Sequence, residues 1–114
     1  MKRIISIAAV AVALALGAST LRAQAAPAPD GAQLFAHNCS SCHGAAGVPN
    51  PAMVHSLGAM PDFTNAQAMG ALADSTLVNV VTNGKGRAMP AYKTRLNPDQ
   101  VRAVVAYIRT LSHH

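Results

Sequence analysis

The sequence is poor in large aromatic side chains and in cysteine. It contains no tryptophan, two phenylalanines and two tyrosines among 114 residues, together with two cysteines. Charged residues make up 11% of the chain, and they form no block of like charge. A domain with so few large apolar groups has a thin core, and small domains of this kind usually need a disulfide, a metal or a cofactor for stability.

The first 25 residues are predicted to be a signal peptide. Two basic residues precede an apolar run from Ile4 to Leu16, and an A-x-A pattern follows at 23–25. The run is shorter than the ~20 apolar residues of a transmembrane helix, so an uncleaved anchor is the less favoured alternative and no stable membrane insertion is expected after cleavage. The chain is therefore interpreted as a signal peptide, 1–25, and a single periplasmic domain, 26–114.

Removal of the signal peptide leaves a domain whose positive and negative charges nearly balance. Lys2, Arg3 and Arg22 lie in the leader, whereas all four acidic residues lie outside it, so the net charge falls from +5 to about +2. Nucleic-acid-binding domains usually carry a strong basic patch, so this balance argues against a nucleic-acid partner.

Capping residues and apolar periodicity predict an all-α domain. The predicted helices cover residues 31–40, a short segment within 64–72, residues 74–83 and a segment from Asn97 to Leu111. Asp30, Asp74 and Asn97 are the expected N-caps. No alternating pattern predicts a strand, and the two intervening loops, 44–63 and 84–96, are long enough to suggest that a bound group organises them.

Residues 39–43 read Cys-Ser-Ser-Cys-His and include both cysteines of the chain. Three kinds of site use such a pattern. A thioredoxin-type dithiol site would accompany a βαβ pattern, which this sequence lacks. A closed zinc site needs four ligands, and no second pair completes the set. The remaining histidines stand at no familiar ligand spacing: His37, His55, His113 and His114.

The third kind of site is covalent haem c, because C-x-x-C-H is its attachment signature. Two thiols one helical turn apart can each add to a haem vinyl group, and the adjacent imidazole can then reach the iron. We therefore predict one covalent haem c held by Cys39 and Cys42, with His43 as the proximal iron ligand.

A distal iron ligand is expected from the glycine-rich loop far along the chain. Met89 lies in this loop, where Gly84 and Gly86 allow the backbone to approach a flat cofactor. Met60 is also followed by proline but lies in the loop just after the Cys-His motif. We predict Met89 as the second axial ligand. The other methionines of the domain are interpreted as core residues: Met53, Met60 and Met69.

The sequence resembles the class I, monohaem c-type cytochromes over nearly all of the predicted domain. Three stretches carry the resemblance: Gly31-x3-Phe35-x3-Cys39-x2-Cys42-His43-Gly44, residues 83–92 (NGKGRAMPAY) and residues 104–108 (VVAYI). The resemblance implies the all-α cytochrome c fold, in which the N- and C-terminal helices cross and the loops wrap one covalent haem.

The resemblance also implies roles for individual residues. Gly31 is expected to let the two terminal helices approach closely, with Phe35 packed against Tyr107. A proline carbonyl is expected to accept the proton of the His43 imidazole, and either Pro51 or Pro49 would supply it.

The predicted function is that of a one-electron carrier in a periplasmic respiratory or dehydrogenase chain. Iron with His43 and Met89 as axial ligands has no open position for a substrate, so the protein is expected not to be an enzyme. Two alternatives stay open. One is a five-coordinate haem c enzyme or gas-binding sensor, and the other is a small haem subunit of a larger oxidoreductase.

Four basic residues flank Met89 in a stretch that contains no acid: Lys85, Arg87, Lys93 and Arg95. We call these four residues the basic rim. Either they form a solvated loop that compensates the haem propionates, or they steer an acidic redox partner protein towards the haem edge.

Overall fold

A computed structural model describes residues 27–112, together with Gly17. The predicted signal peptide therefore lies outside the described residues except for Gly17, and so do His113 and His114. Six helices occur in these residues: α1 Gly31–Asn38, α2 Ser40–His43, α3 Pro51–Leu57, α4 Ala66–Gly70, α5 Asp74–Asn83 and α6 Pro98–Thr110. No helix between residues 27 and 112 is long and apolar enough to cross a bilayer.

The first and last helices pack closely against each other. A Cβ atom built on Gly31 would lie 2.1 Å from the carbonyl oxygen of Ala103, so only a glycine fits between the two backbones. One turn further on, the rings of Phe35 and Tyr107 lie 5.3 Å apart between centroids. The expected close approach of the terminal helices is therefore confirmed.

The C-terminal helix contributes four buried side chains to the core, more than any other helix between residues 27 and 112, because its apolar residues recur at helical spacing. The side chains of α6 that are buried are Val101, Val104, Val105 and Ile108. Asn97 starts this helix with a capping box, since its side chain accepts from the Gln100 N–H while the Gln100 side chain accepts from the Asn97 N–H. This cap was predicted and is confirmed.

Two helix boundaries differ from the prediction. The expected first helix divides at Cys39, which separates α1 from the single turn of α2. The N-cap of α5 is Ala73, and Asp74 is instead the first residue inside that helix. A carboxylate in the first turn still interacts favourably with the helix dipole, so Asp74 stabilises α5 without capping it.

The prediction that residues 44–63 form a loop without helix is wrong, because α3 covers Pro51–Leu57. Asn50 is its N-cap and accepts a hydrogen bond from the Ala52 N–H at 3.0 Å. Pro51 occupies the first helical position, where its missing N–H costs nothing. The helix ends at Gly58, whose φ of 96° lies in the left-handed region.

One arginine of α6 fastens three neighbouring segments. The Arg109 guanidinium donates to the carboxylate of Asp74 at 2.8 Å and to the carbonyl of Met69 at 2.6 Å, and it also donates to the carbonyl of Leu72. The end of α4 and the start of α5 are thereby held against α6. Leu72, which follows α4, and several side chains of α5 line an apolar cavity.

Candidate functional site

An apolar cavity of about 370 Å³ lies among α2, α5, α6 and the two loops that follow α3 and α5. This volume is within the range of protein cavities that bind cofactors, ~300–1,000 Å³. All four residues predicted to bind haem line it: Cys39, Cys42, His43 and Met89. The opposite walls are aliphatic and include Leu72, Leu77, Val80, Val81 and Ile108.

The two cysteines and the histidine share one turn of helix. The N–H groups of Cys42 and His43 both donate to the carbonyl of Cys39, at 3.3 and 3.0 Å. Cys39 and Cys42 form no disulfide with each other. Burial, with a smaller contribution from the charge of Cys42, raises the pKa of the Cys39 thiol to about 11, so this group is protonated at neutral pH.

The His43 imidazole is neutral and poorly solvated. Desolvation by burial lowers its pKa below the usual value, which leaves a nitrogen lone pair free to bind a metal. The expected hydrogen bond to the carbonyl of Pro51 or Pro49 is absent. The His43 Nδ1 atom is buried, and none of the residues between 27 and 112 supplies a hydrogen-bond partner for it. Pro51 instead begins α3.

Main-chain hydrogen bonds shape the loop that carries Met89. The Lys85 N–H donates to the Met89 carbonyl at 2.9 Å, and the Met89 N–H donates to the Lys85 carbonyl at 3.3 Å. Gly86, with φ of 59°, lies inside this small bridge. Gly84 has φ of 76°, and a Cβ there would lie 2.6 Å from the Met89 carbonyl oxygen. Both glycines are therefore required by the shape of the loop.

A second methionine reaches the same cavity. Met60 was interpreted as a core residue, but it lines the cavity beside Ala59 and Pro61. The core interpretation does hold for Met69, which is 1% exposed. The resemblance between the Met60-Pro61 and Met89-Pro90 pairs is the sequence signal that points to both methionines lining one cavity.

Tyr92 ties the Met89 loop to the helix before the Cys-His motif. Its hydroxyl donates to the carbonyl of Asn38 at 2.9 Å, across 54 residues of sequence. The guanidinium of Arg95 lies 5.3 Å from the centre of the Tyr92 ring. Nothing local in the sequence marks the bond from Tyr92 to Asn38, because only the fold brings these two residues together.

These residues fit a covalent haem. Two thiols project from one helical turn, a neutral imidazole follows them, a thioether lies on a separate loop, and the walls between them are apolar. Zinc is a poorer fit, because the described part of the chain contains no cluster of three or more His, Cys, Asp or Glu side chains arranged to hold a metal ion.

The residues of the basic rim are exposed around the Met89 loop. Lys85 also borders the cavity. Two salt bridges occur within residues 27–112, Arg102 with Asp99 and Arg109 with Asp74, and neither includes a residue of the rim. Its charges therefore remain available to solvent and to other molecules.

Comparison with known proteins agrees with this geometry. A family model described as cytochrome c oxidase, cbb3-type, subunit III matches residues 26–108. The chain is 37% identical to cytochrome c6 of Nostoc sp. over 108 residues, which cover 95% of this chain and 92% of that protein. It is 36% identical to the cbb3-type cytochrome c oxidase subunit FixP of Bradyrhizobium sp., of which it spans 26%.

A solved structure described as the KustC0563 c-type cytochrome superposes with a TM-score of 0.68 and 28% identity, covering 74% of this chain and 99% of that one. The helical domain around an apolar cavity is thus the cytochrome c fold. The chain belongs to the c-type cytochromes. It is a small monohaem member that carries a single covalent haem c and transfers electrons.

Proposed function

We propose that this protein is an exported one-electron carrier whose haem iron is bound by His43 and Met89. The observation that carries the proposal is that both residues line one apolar cavity although they lie on different elements, α2 and the loop after α5. Methionine ligation favours Fe(II) and raises the reduction potential relative to two nitrogen ligands. Iron with two protein ligands has no open position, so we propose electron transfer without catalysis.

The leader supports the proposed export. The proposed signal peptide ends at residue 25, and the match to the family model begins at residue 26. We propose that the leader is removed and that residues 26–114 function in the periplasm. N-terminal sequencing of the protein purified from a periplasmic extract tests this: a start at Ala26 supports it, and a start at Met1 contradicts it.

The proposed partners are redox proteins with an acidic surface near their own cofactor. The exposed, unpaired charges of the basic rim support this choice, because complementary charge accelerates association. Relatives named as cbb3-type oxidase subunits make a respiratory oxidase a reasonable class of partner. The chain spans 26% of such a relative and 92% of a cytochrome c6.

The visible absorption spectrum of the holoprotein tests the axial ligands. We expect sharp low-spin bands on reduction and, in the oxidised protein, the weak far-red band of a methionine–iron bond. The variant Met89→Ala should lose the far-red band, whereas Met60→Ala, the matched control in the same cavity, should keep it. The reverse pattern would assign the distal position to Met60 instead.

The alternative function is ligand binding or peroxide chemistry at five-coordinate iron. It requires that wild-type ferrous protein bind carbon monoxide readily or that the ferric protein turn over peroxide. We expect neither reaction in the wild type, and we expect carbon monoxide binding in Met89→Ala. A high-spin spectrum of the wild-type protein would favour the alternative and leave the covalent attachment unaffected.

A further inference from the structure

The buried Nδ1 atom of His43 calls for an explanation. It has no hydrogen-bond partner among residues 27–112. Buried polar atoms without partners are rare in folded proteins. A histidine that binds a metal usually donates its second ring N–H to a carbonyl or carboxylate, and this bond fixes the orientation of the ring. In this protein another contact must orient the imidazole.

The aromatic ring of Phe63 makes that contact. The two ring centroids lie 4.8 Å apart and the planes are inclined by 21°, so the rings are stacked. Phe63 is 5% exposed and also lines the cavity. Stacking of this kind restricts rotation of the imidazole without offering its nitrogen an acceptor.

Phe63 is itself held firmly in place. Its N–H donates to the carbonyl of Gly47 at 3.0 Å, and its carbonyl accepts from the hydroxyl of Ser112 at 3.0 Å. The edge of its ring packs on Phe35, with 6.3 Å between centroids and 64° between planes. The position of the Phe63 ring is therefore determined by the loop after the Cys-His motif, by the C-terminal end of the domain and by α1.

We propose that Phe63 is the positioning residue of the proximal ligand: its ring orients the His43 imidazole and keeps water away from Nδ1. The inference rests on the proposed function, in which His43 binds the iron. A hydrogen bond at the second nitrogen makes an imidazole a stronger donor to the metal. Without that bond the imidazole stabilises Fe(III) less. Because Phe63 keeps water from forming the bond, it raises the reduction potential.

Three holoprotein variants test this proposal against wild type by redox titration and by electron paramagnetic resonance of the ferric form. Phe63→Leu removes the stacked ring, and Phe63→Tyr keeps it. Leu96→Ala is the control, because Leu96 is buried but does not line the cavity. The resonance readout reports the orientation of the imidazole plane, which a loss of stability alone does not change.

We expect Phe63→Leu to lower the midpoint potential and shift the resonance g-values, because the ring can rotate and water can reach Nδ1. If the ratio of oxidised to reduced protein rises tenfold at a fixed solution potential, the midpoint potential has fallen by about 59 mV for this one-electron couple. Phe63→Tyr should restore both readouts. Leu96→Ala should lower thermal stability and leave both unchanged.

The proposal is overturned if folded, low-spin Phe63→Leu holoprotein has the potential and g-values of wild type, or if Leu96→Ala shifts them equally. Failure of the proposed ligands looks different, because the wild-type spectrum would then lack low-spin bands. If Phe63→Leu gives no holoprotein, Phe63→Tyr and Phe63→Met provide the comparison of a retained and a removed ring.

Discussion

Gly31 lies so close to Ala103 that a Cβ atom at residue 31 would come within 2.1 Å of the carbonyl oxygen of Ala103. The atom that would clash belongs to the backbone of α6, so no side-chain rotation can relieve it. The close crossing of α1 over α6 therefore requires a residue without a Cβ atom, a glycine, at position 31.

Gly31→Ala is accordingly expected to destabilise the holoprotein by about 1–3 kcal/mol, the usual cost of forcing extra volume into a packed contact. Gly70→Ala is the matched control, since a Cβ at this last residue of α4 would meet nothing within 4 Å. Replacing that glycine should be neutral or should stabilise by about 0.4–1 kcal/mol. Urea unfolding measures both, and equal effects of the two changes would contradict the packing argument.

Arg109→Lys is expected to cost about 1–3 kcal/mol of unfolding free energy. A lysine keeps the charge but cannot reach the Asp74 carboxylate and the carbonyls of Met69 and Leu72 together, so partly buried carbonyl oxygens lose their donor. Arg102→Lys serves as the control. Arg102 and Asp99 form an exposed pair, and such pairs contribute little. Thermal unfolding should therefore give a clearly lower melting temperature for Arg109→Lys than for Arg102→Lys. An equal loss of stability in the two variants would contradict the proposed role of the Arg109 hydrogen bonds.

The hydroxyl of Tyr92 is expected to stabilise the domain in a pH-dependent way. Tyr92→Phe removes the bond to the Asn38 carbonyl and should cost about 0.5–1.5 kcal/mol near neutral pH. Desolvation by burial raises the pKa of Tyr92 above its usual value of 10.0. The unfolded chain therefore ionises first, so the stabilisation is complete below pH ~10 and is lost as the pH rises further.

Urea unfolding of wild type and Tyr92→Phe below and above pH ~10 measures this difference. The advantage of wild type should shrink at the higher pH. Tyr107→Phe is the control, because the Tyr107 hydroxyl makes no hydrogen bond within residues 27–112. A difference between wild type and Tyr92→Phe that is constant across this pH range would contradict the prediction.

Arg87→Glu is expected to slow the oxidation of ferrous protein by the hexacyanoferrate(III) anion by about tenfold at low salt, because steering by surface charge changes association rates at least this much. The effect should vanish as salt screens the rim. Arg102→Glu makes the same charge change on α6 and should have a smaller effect. Stopped-flow rates that do not change with ionic strength would contradict steering by the basic rim and would favour its interpretation as a solvated loop.

Local signals in the sequence were sufficient where a few neighbouring residues decide the structure. The turn of Cys39, Cys42 and His43 and the capping box at Asn97 are of this kind. The helix α3 was predictable from the same reasoning, since Asn50-Pro51 repeats the Asn97-Pro98 signature of an N-cap followed by proline. The glycines and prolines around it led instead to the prediction of a loop.

Other parts of the site depend on contacts between distant residues. The stacking of Phe63 on His43, the bond from Tyr92 to Asn38 and the anchor at Arg109 join segments far apart in the chain. No capping rule or periodicity signals such pairs, because they arise when the helices pack. The absent hydrogen bond at His43 shows the same limit. The family resemblance assigned the carbonyl acceptor to a proline of this loop, but Pro51 starts α3 instead.

The main-chain bridge between Lys85 and Met89 bears on two properties of this loop, its surface charge and the position of residue 89. Its two hydrogen bonds join main-chain atoms, so neither bond requires a particular side chain at positions 85, 87 and 88. Substitutions at these positions can change the surface charge while the main-chain bridge is kept. Such a loop lets the charge of the surface change while the main chain at residue 89 keeps its hydrogen bonds.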